Sequence, residues 1–497
     1  MEEKAVNLAS EDMNNLGSLA NEKEGLKRGM KPRHMLMMSI GGTIGTGLFM
    51  ASGEVLAKAG PLGAVLAYLV AGLAMYAVML CLAELAVSMP IAGSFQTYAT
   101  RLVSPAAGFT TGWLYWFNWL TVISADVVIA GELTTKLVAG GLGLSAIQWG
   151  FLYVLILVLM NLVSVKVYGE MEFWFAGIKV CAIIAFIVVG LGVAFGGVGS
   201  PEGTVGFSRL IPAEGIFPNG IPAVFMMGLL SVYSFQGTEL VGVGAAECEN
   251  PGQNMKRVIK GVAFRIITFY VLAIVVLGMV LPWDQAGVDE SPFAKVFGIA
   301  GIPFARELMN FVVLTSALSA ANSAIYACSR FVWSMARDGQ APKMLDKLNK
   351  GGVPSRAIFF TIIMSVILVV GGEWANSSAS ADPNGIGVKL YIWLVNSSGL
   401  VGCLIWIIIA LCQWRFRNIY VGRGGDPNKL PFKTPWTPFL PILVMVINGA
   451  LMLFTLLPEE GVAFTDGEGP LFIAIVSMTA MFYIGYSLFG RKAEGAE

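Results

Sequence analysis

Long apolar segments dominate the sequence, and about twelve of them reach the roughly 20 residues that a helix needs to cross a bilayer. Hydrophobic residues make up 56% and charged residues 13% of the 497 positions. Because lipid offers no partner to backbone amides and carbonyls, such segments fold as helices. We therefore predict an all-α polytopic membrane protein embedded in the lipid bilayer. The predicted spans cover residues 35–59, 62–88, 106–137, 148–166, 173–196, 221–246, 261–283, 302–334, 357–372, 387–413, 437–457 and 470–489.

Composition argues against several classes of function. A net charge of zero gives no electrostatic reason to expect nucleic acid as a partner. A single histidine, His34, leaves little for a histidine-built metal site, so we expect neither a metal nor a cofactor. With one histidine and no phosphate-binding loop, the sequence does not indicate an enzyme.

A cluster of four glycines interrupts the first span, where residues 40–49 read Ile-Gly-Gly-Thr-Ile-Gly-Thr-Gly-Leu-Phe. Each glycine costs a helix about 1 kcal/mol relative to alanine. The glycines either let helices pack closely or break the helix, and unwound backbone at membrane depth must be buried in protein or line a cavity. We predict a break that binds a carboxylate on amides and an ammonium on carbonyls. The candidate ligands in this stretch are Ile40, Gly41, Thr43, Gly45, Thr46 and Gly47.

The sixth span contains a matching interruption, because residues 233–239 read Tyr-Ser-Phe-Gln-Gly-Thr-Glu. Two breaks at corresponding positions indicate two repeats of five spans, and an odd number of spans gives the repeats opposite orientations. We therefore predict inverted repeats at 34–196 and 221–413, the last two spans at 437–489, and tails at 1–33 and 490–497. The second break adds Tyr233, Ser234, Phe235, Gly237 and Glu239 to the candidate substrate site.

Lysine and arginine lie in alternate connections between the spans. The connections at 139–147, 371–387 and 458–470 contain neither residue, whereas the N-terminal tail and the connections that face the same side are rich in both. Because cytoplasmic loops carry the positive charge, we predict that both termini are cytoplasmic.

Several stretches resemble the amino acid permeases of the amino acid-polyamine-organocation (APC) superfamily. These are residues 41–49, Glu84-Leu-Ala-Val-Ser-Met-Pro-Ile-Ala-Gly-Ser-Phe95, residues 233–239 and Ala246-Glu-Cys-Glu-Asn-Pro251. The resemblance covers nearly the whole chain from about Lys31. Residues 234–240 and 112–119 are most similar to the lysine-specific permeases of bacteria and the basic amino acid permeases of fungi.

The resemblance implies the leucine-transporter fold, alternating access and substrate entry driven by an ion gradient. A multi-pass protein of the plasma membrane, in bacteria the inner membrane, is the implied location. Lys179 matches a lysine that, in proton-coupled members of the family, stands where sodium-coupled relatives hold an ion. The implied partners are an amino acid and a proton.

Placing an ionisable side chain inside a membrane span costs free energy, so each such residue in the predicted spans suggests a function. Burial disfavours the charge of Lys179, which lets it take up and release a proton; a permanently charged lysine bound to helix-end carbonyls is the alternative. Glu239 either neutralises a cationic substrate side chain, carries a proton, or satisfies unwound backbone nearby. In the third span, Tyr115, Trp119 and Asp126 share one helical stripe. We include Asp126 and Asn118, which lies on the same span, in the substrate site, whereas an aromatic stripe more often serves packing.

Three charged residues flank the predicted cytoplasmic mouth. Glu84 and Arg101 lie on either side of Pro90 and Gly93 and are predicted to form a gating or anchoring ion pair. Glu247 follows Glu239 by about two helical turns and is predicted either to line the inner mouth or to pair with Lys256 at a helix end.

The main hypothesis is a proton-coupled importer of amino acids, with lysine or another cationic amino acid as substrate. One rival is a permease for neutral or aromatic amino acids, which would share the broken helices. The other rival is a transceptor, a membrane sensor that binds an amino acid and signals through its cytoplasmic face.

Overall fold

A computed structural model describes residues 42–89, 91, 93–138, 143–163, 165–199, 203–240, 242, 267–379, 386–456 and 469–487. The predicted ligands Ile40 and Gly41 and the predicted gate residue Glu247 lie outside the described residues. The regular secondary structure of the described part is entirely helical, which confirms the all-α prediction.

Most α-helices begin and end within a few residues of the predicted spans. In chain order the α-helices are α1 (Ser52–Ala59), α2 (Pro61–Ser88), α3 (Phe95–Leu102), α4 (Pro105–Leu137), α5 (Ala146–Val163), α6 (Val165–Ala194), α7 (Gly220–Phe235), α8 (Ile267–Val280), α9 (Pro292–Ile299), α10 (Ala305–Arg337), α11 (Ser355–Ala379), α12 (Ile386–Gly422), α13 (Phe439–Phe454) and α14 (Gly469–Gly485). However, α6 begins eight residues before its predicted start, and α11 and α12 end seven and nine residues beyond their predicted ends. Six of them, α2, α4, α6, α10, α11 and α12, are long and apolar enough to cross a membrane. The helices α5, α7, α8, α13 and α14 are apolar but shorter within the described residues.

Two eight-residue helices, α3 and α9, were not among the predicted spans because neither is of membrane length. The helix α3 follows Gly93 and Ser94, which both have positive φ and turn the chain sharply after α2. Proline at the first position of α9 starts that helix, since a missing amide costs nothing there.

Both predicted helix breaks are present. In the first, Gly42 and Thr43 are helical, the chain bends at Ile44 and Gly45, and a π-helical turn at Gly47–Ala51 leads into α1. In the second, α7 ends at Phe235 and a turn at residues 236–239 follows. Gly237 has φ of +98°, a conformation that side chains other than glycine rarely adopt.

The centre of the bundle is built on α4 and α10, which pack against each other along their length. Both are buried over most of their membrane-length windows, and α12 covers another side of α4. The helix α7 lies between α1, α2 and α12. The two breaks therefore sit in the interior of the helical bundle, where unwound backbone can find partners.

Candidate functional site

The two breaks lie directly against each other. A Cβ atom built on Gly47 would be 2.6 Å from Ser234 Cα, and one built on Gly237 would be 2.6 Å from the Gly42 carbonyl oxygen. A side chain at either position would clash with the opposite backbone, so glycine at 47 and 237 permits the close approach of the two breaks. The structure thus joins the two stretches that the sequence predicted to meet at the site.

Hydroxyl groups from surrounding helices donate hydrogen bonds to the backbone carbonyls of the first break. The hydrogen bonds are Tyr270 OH to Thr43 O (2.9 Å), Ser316 Oγ to Ile44 O (3.1 Å), Tyr391 OH to Thr46 O (3.1 Å) and Tyr68 OH to Gly47 O (3.2 Å). These donors come from α8, α10, α12 and α2 and replace the missing helical bonds. These donors were not predicted from the sequence, because a hydroxyl group in an apolar span gives no signal of its distant partner.

Asp126 is a charged residue that contacts the first break directly. It is fully buried on α4, and its Oδ1 accepts a 2.6 Å hydrogen bond from the Thr46 hydroxyl. The Thr46 hydroxyl also lies 3.0 Å from the Tyr233 hydroxyl at the second break. Asp126 Oδ2 has no hydrogen-bond partner among the described residues. One carboxylate oxygen therefore remains available beside both breaks.

Glu239 lies at the end of the second break and is 2% exposed. Its carboxylate accepts hydrogen bonds from the Gly237 amide at 3.1 and 3.2 Å and from the Tyr115 hydroxyl at 3.3 Å. The Tyr115 ring packs edge-on against Trp119, with ring centroids 5.9 Å apart. The stripe predicted on the third span therefore faces the interior, with Tyr115 at one break and Asp126 at the other.

A closed network of amide and hydroxyl groups supports the second break. Asn118 donates to Gln236 Oε1 at 2.9 Å, Gln236 donates to the Ser398 carbonyl at 2.9 Å, and the Ser398 hydroxyl contacts both side-chain amides. Asn118, which is predicted to bind the substrate, orients Gln236. Neither Gln236 nor Ser398 was in the predicted set; the glutamine inside the apolar sixth span was the available signal.

The remaining predicted residues of the second break pack around Tyr68. The Ser234 hydroxyl is 3.0 Å from the Tyr68 hydroxyl, and Phe235 packs against Tyr270 with ring centroids 4.8 Å apart. Both positions are buried at the contact between α7 and α2. Their contacts stabilise the shape of the break.

Lys179 is buried on α6 with 1% exposure and interacts electrostatically with Glu172 and Asp126. Glu172 is fully buried two helical turns before Lys179, and its Oε1 accepts a 2.6 Å hydrogen bond from Ser319 of α10. The sequence argument missed Glu172. The signal was its spacing of seven residues from Lys179, which places both on one helical face.

The predicted Glu84–Arg101 ion pair is wrong. Arg101 is exposed, whereas Glu84 is fully buried and forms a bidentate ion pair with Arg417 near the end of α12, with Arg417 Nε 2.8 Å from Glu84 Oε1. The Thr434 amide adds a 2.6 Å hydrogen bond to Glu84 Oε2. Arg417 is the partner because α12 packs against α2 and brings its guanidinium to the buried carboxylate, whereas the side chain of Arg101 is exposed on α3.

Arg417→Ala should destabilise the protein strongly, because it leaves the buried Glu84 carboxylate without its counter-charge. Breaking a buried ion pair in this way costs about 3–5 kcal/mol. Thermal unfolding of the purified protein in detergent would measure the loss. The matched control, Arg101→Ala, should leave the unfolding temperature unchanged, and an equal loss in the two variants would refute the assignment of the partner.

Comparisons with known proteins agree with this architecture. The family model described as amino acid permease matches residues 34–494. The amino-acid permease RocC of Bacillus subtilis is 41% identical over 90% of this chain and 93% of its own. The lysine-specific permease LysP of Escherichia coli is 37% identical over 94% of each chain.

Among solved structures, MhsT in complex with L-phenylalanine aligns with a TM-score of 0.56, at 16% identity, over 85% of this chain and 97% of its own. A likeness at this identity shows the fold alone, and it confirms the predicted leucine-transporter fold. The family match and the relatives also show a transporter and not an enzyme. With a family model matched over almost its whole length, this multi-pass membrane protein belongs to the amino acid permeases of the APC superfamily.

Proposed function

We propose that this permease imports lysine or another cationic amino acid by alternating access, coupled to the entry of protons. The observation that supports this most is the buried carboxylate of Asp126 at the meeting point of the two breaks, with Oδ2 lacking a partner among the described residues. A buried carboxylate oxygen without a hydrogen-bond partner is stabilised when a cation binds beside it. The α-ammonium of an amino acid would supply this cation.

The substrate carboxylate, in this proposal, binds the backbone amides of residues 43–47. The helix that begins there directs its positive dipole end at the break, which favours an anion. The ammonium binds Asp126, together with carbonyls of the two breaks. The carbonyls of Thr43 and Thr46 already accept hydrogen bonds from tyrosine hydroxyls. Asp126 therefore makes the stronger contact with the ammonium.

Preference for a cationic side chain is assigned to Glu239. The Gly237 amide and Tyr115 orient its carboxylate at the edge of the second break, whereas Asp126 contacts Thr46 at the first break. Relatives are named as permeases for lysine, for histidine and for γ-aminobutyric acid, so the family alone does not fix the side chain. A neutral or aromatic amino acid remains the alternative substrate.

Proton coupling is assigned to Lys179. Its ammonium lies where it interacts with two buried carboxylates, and burial makes the charged form costly. A lysine that binds and releases a proton in each cycle would link substrate entry to the proton gradient. We place both termini in the cytoplasm of a bacterial cell, because connections rich in lysine and arginine tend to remain on the cytoplasmic side of a membrane.

A competition experiment tests the substrate assignment. Purified protein in proteoliposomes takes up labelled lysine while each other amino acid is added in excess. We expect arginine, ornithine and lysine to compete and neutral amino acids to have little effect. Strong inhibition by aromatic or small neutral amino acids, or the absence of any uptake of labelled lysine, would support the alternative. A transceptor would bind labelled lysine but show no accumulation.

Tyr233 is proposed to close over the bound substrate, because it precedes the second break and its hydroxyl contacts Thr46 at 3.0 Å. Tyr233→Phe should lose one hydrogen bond of about 1 kcal/mol and keep most uptake. Tyr233→Ala should lose most uptake, because the ring that excludes water is gone. Initial rates of lysine uptake compare the two variants, and wild-type rates in Tyr233→Ala would exclude this role.

A further inference from the structure

Glu172 is a buried carboxylate that the proposed transport site does not use. It lies on the inner face of α6, on which Glu172, Ala176, Lys179 and Ile183 are all buried. The side chains of Trp174 and Ile178, which point elsewhere, are exposed at 69% and 44%. Burying an isolated ionised carboxylate at this depth costs free energy, so its presence here suggests a function.

The surroundings of Glu172 are polar but carry few charges. From α10, Ser319 donates to it at 2.6 Å, and Asn322 and Ser323 lie beside it. From α5, Asn161 reaches Asn322 Oδ1 at 2.6 Å. The helix α9 meets α6 at Phe186, two turns beyond Lys179, so Lys295 of α9 lies away from Glu172. Among the described residues, the charged groups that interact with this region are Lys179, on the same helix, and Asp126 of α4, which interacts with Lys179.

The charges in this group do not balance. Asp126 and Glu172, if both ionised, carry two negative charges, and Lys179 carries one positive charge. A buried cluster with an uncompensated charge is unstable in a membrane interior, so one carboxylate holds a proton or a further cation is present. The ammonium of a bound amino acid would neutralise Asp126 and leave Glu172 and Lys179 as a pair.

We propose that Glu172 is the proton acceptor through which Lys179 releases its proton towards the N-terminal end of α6. The N–H bond of the Lys179 ammonium breaks, an O–H bond forms on the Glu172 carboxylate, and a neutral amine and a neutral acid remain. Glu172 then gives the proton to water when that side opens. This rests on the proposed coupling through Lys179.

Helix geometry supports this direction of transfer. Side chains on an α-helix lean towards its N-terminus, so the long side chain of Lys179 extends back over Ala176 towards Glu172. Seven residues rise roughly 10 Å along the axis, a gap that a lysine side chain and one water can close. Ser319 holds Oε1, whereas Oε2 has no hydrogen-bond partner among the described residues and is open to a proton. The N-terminal end of α6 is the end that the charge pattern assigns to the cytoplasm.

The test compares Glu172→Gln with the wild type in proteoliposomes. Glutamine keeps the shape and a hydrogen bond to Ser319 but carries no transferable charge. We expect normal exchange of labelled for unlabelled lysine, which needs no net proton movement, and a loss of about 100-fold in uptake driven by a pH gradient. Lysine-induced acidification of the lumen, read with a trapped pH dye, should disappear as well.

Two further variants keep the outcome decisive. Glu170→Gln, a partly exposed carboxylate on the same helix, is the matched control and should leave the pH profile of uptake unchanged. Glu172→Asp keeps a carboxylate and should restore part of the pH-driven uptake, with a shifted pH profile. This variant also tests the proposal if Glu172→Gln does not fold.

The failures can be told apart. A wild-type pH profile in Glu172→Gln, or in Glu172→Asp if only that variant folds, would overturn the role of Glu172 while proton coupling stands. If the wild-type protein itself moves no proton with lysine, the proposed coupling is wrong and the role of Glu172 falls with it.

Discussion

Gly47→Val should abolish uptake of every substrate, and Gly47→Ala should already come close. The added Cβ would lie 2.6 Å from Ser234 Cα, a backbone atom that cannot move aside without displacing α7. The substitution therefore separates the two breaks, on which the whole proposed site depends. Binding measured by displacement of labelled lysine from purified protein should fall below detection.

Gly45 provides the matched control. A Cβ there would lie 3.1 Å from Ala320 Cβ, a methyl group on the neighbouring helix α10, so a shift of a few tenths of an ångström suffices. Gly45→Ala should keep measurable binding, whereas the bulkier Gly45→Val should abolish it. If a Gly47 variant binds with altered selectivity instead of losing all substrates alike, these glycines do not form the backbone site.

Lys179→Ala should stop accumulation of substrate against a gradient, because uptake is no longer linked to proton release. The carboxylates of Asp126 and Glu172 lose their buried cation and would neutralise by binding protons, so we expect the fold to persist. Lys179→Arg should fail as well, since a guanidinium stays protonated throughout the physiological range. Uptake at matched expression, with and without an imposed pH gradient, measures both variants.

An exposed lysine supplies the control for that experiment. Lys136, at the end of α4, donates to the Asp289 carbonyl on the surface, and Lys136→Ala should accumulate substrate normally. Normal accumulation by Lys179→Arg would show that titration of this residue is not the coupling step. Glu239 would then become the next candidate.

The sequence predicted what depends on local chemistry. The apolar segments specified the helices to within a few residues at most ends, and the glycines at 45 and 47 and the Gln-Gly pair at 236–237 located both breaks. These features follow from helix propensity and from the need to satisfy backbone groups in lipid. The inward stripe of Tyr115 and Asp126 followed from helical periodicity in the same way.

Pairings between distant residues could not be predicted in this way. Glu84 pairs with Arg417, which lies 333 positions later in the chain, although Arg101 is far closer in sequence. The hydroxyls that satisfy the first break come from α2, α8, α10 and α12, and no local pattern marks them. Tertiary packing determines which of these distant residues meet, and a single sequence contains no direct information on that packing.

Proton-driven accumulation of lysine is the most direct test of the proposed transport cycle. Wild-type protein in sodium-free proteoliposomes, alkaline inside, should concentrate labelled lysine above its external level, and a protonophore should collapse the accumulation. An imposed sodium gradient without a pH difference or membrane potential should give equilibration only. Accumulation under the sodium gradient, or none under the pH gradient, would contradict proton-coupled import through this site.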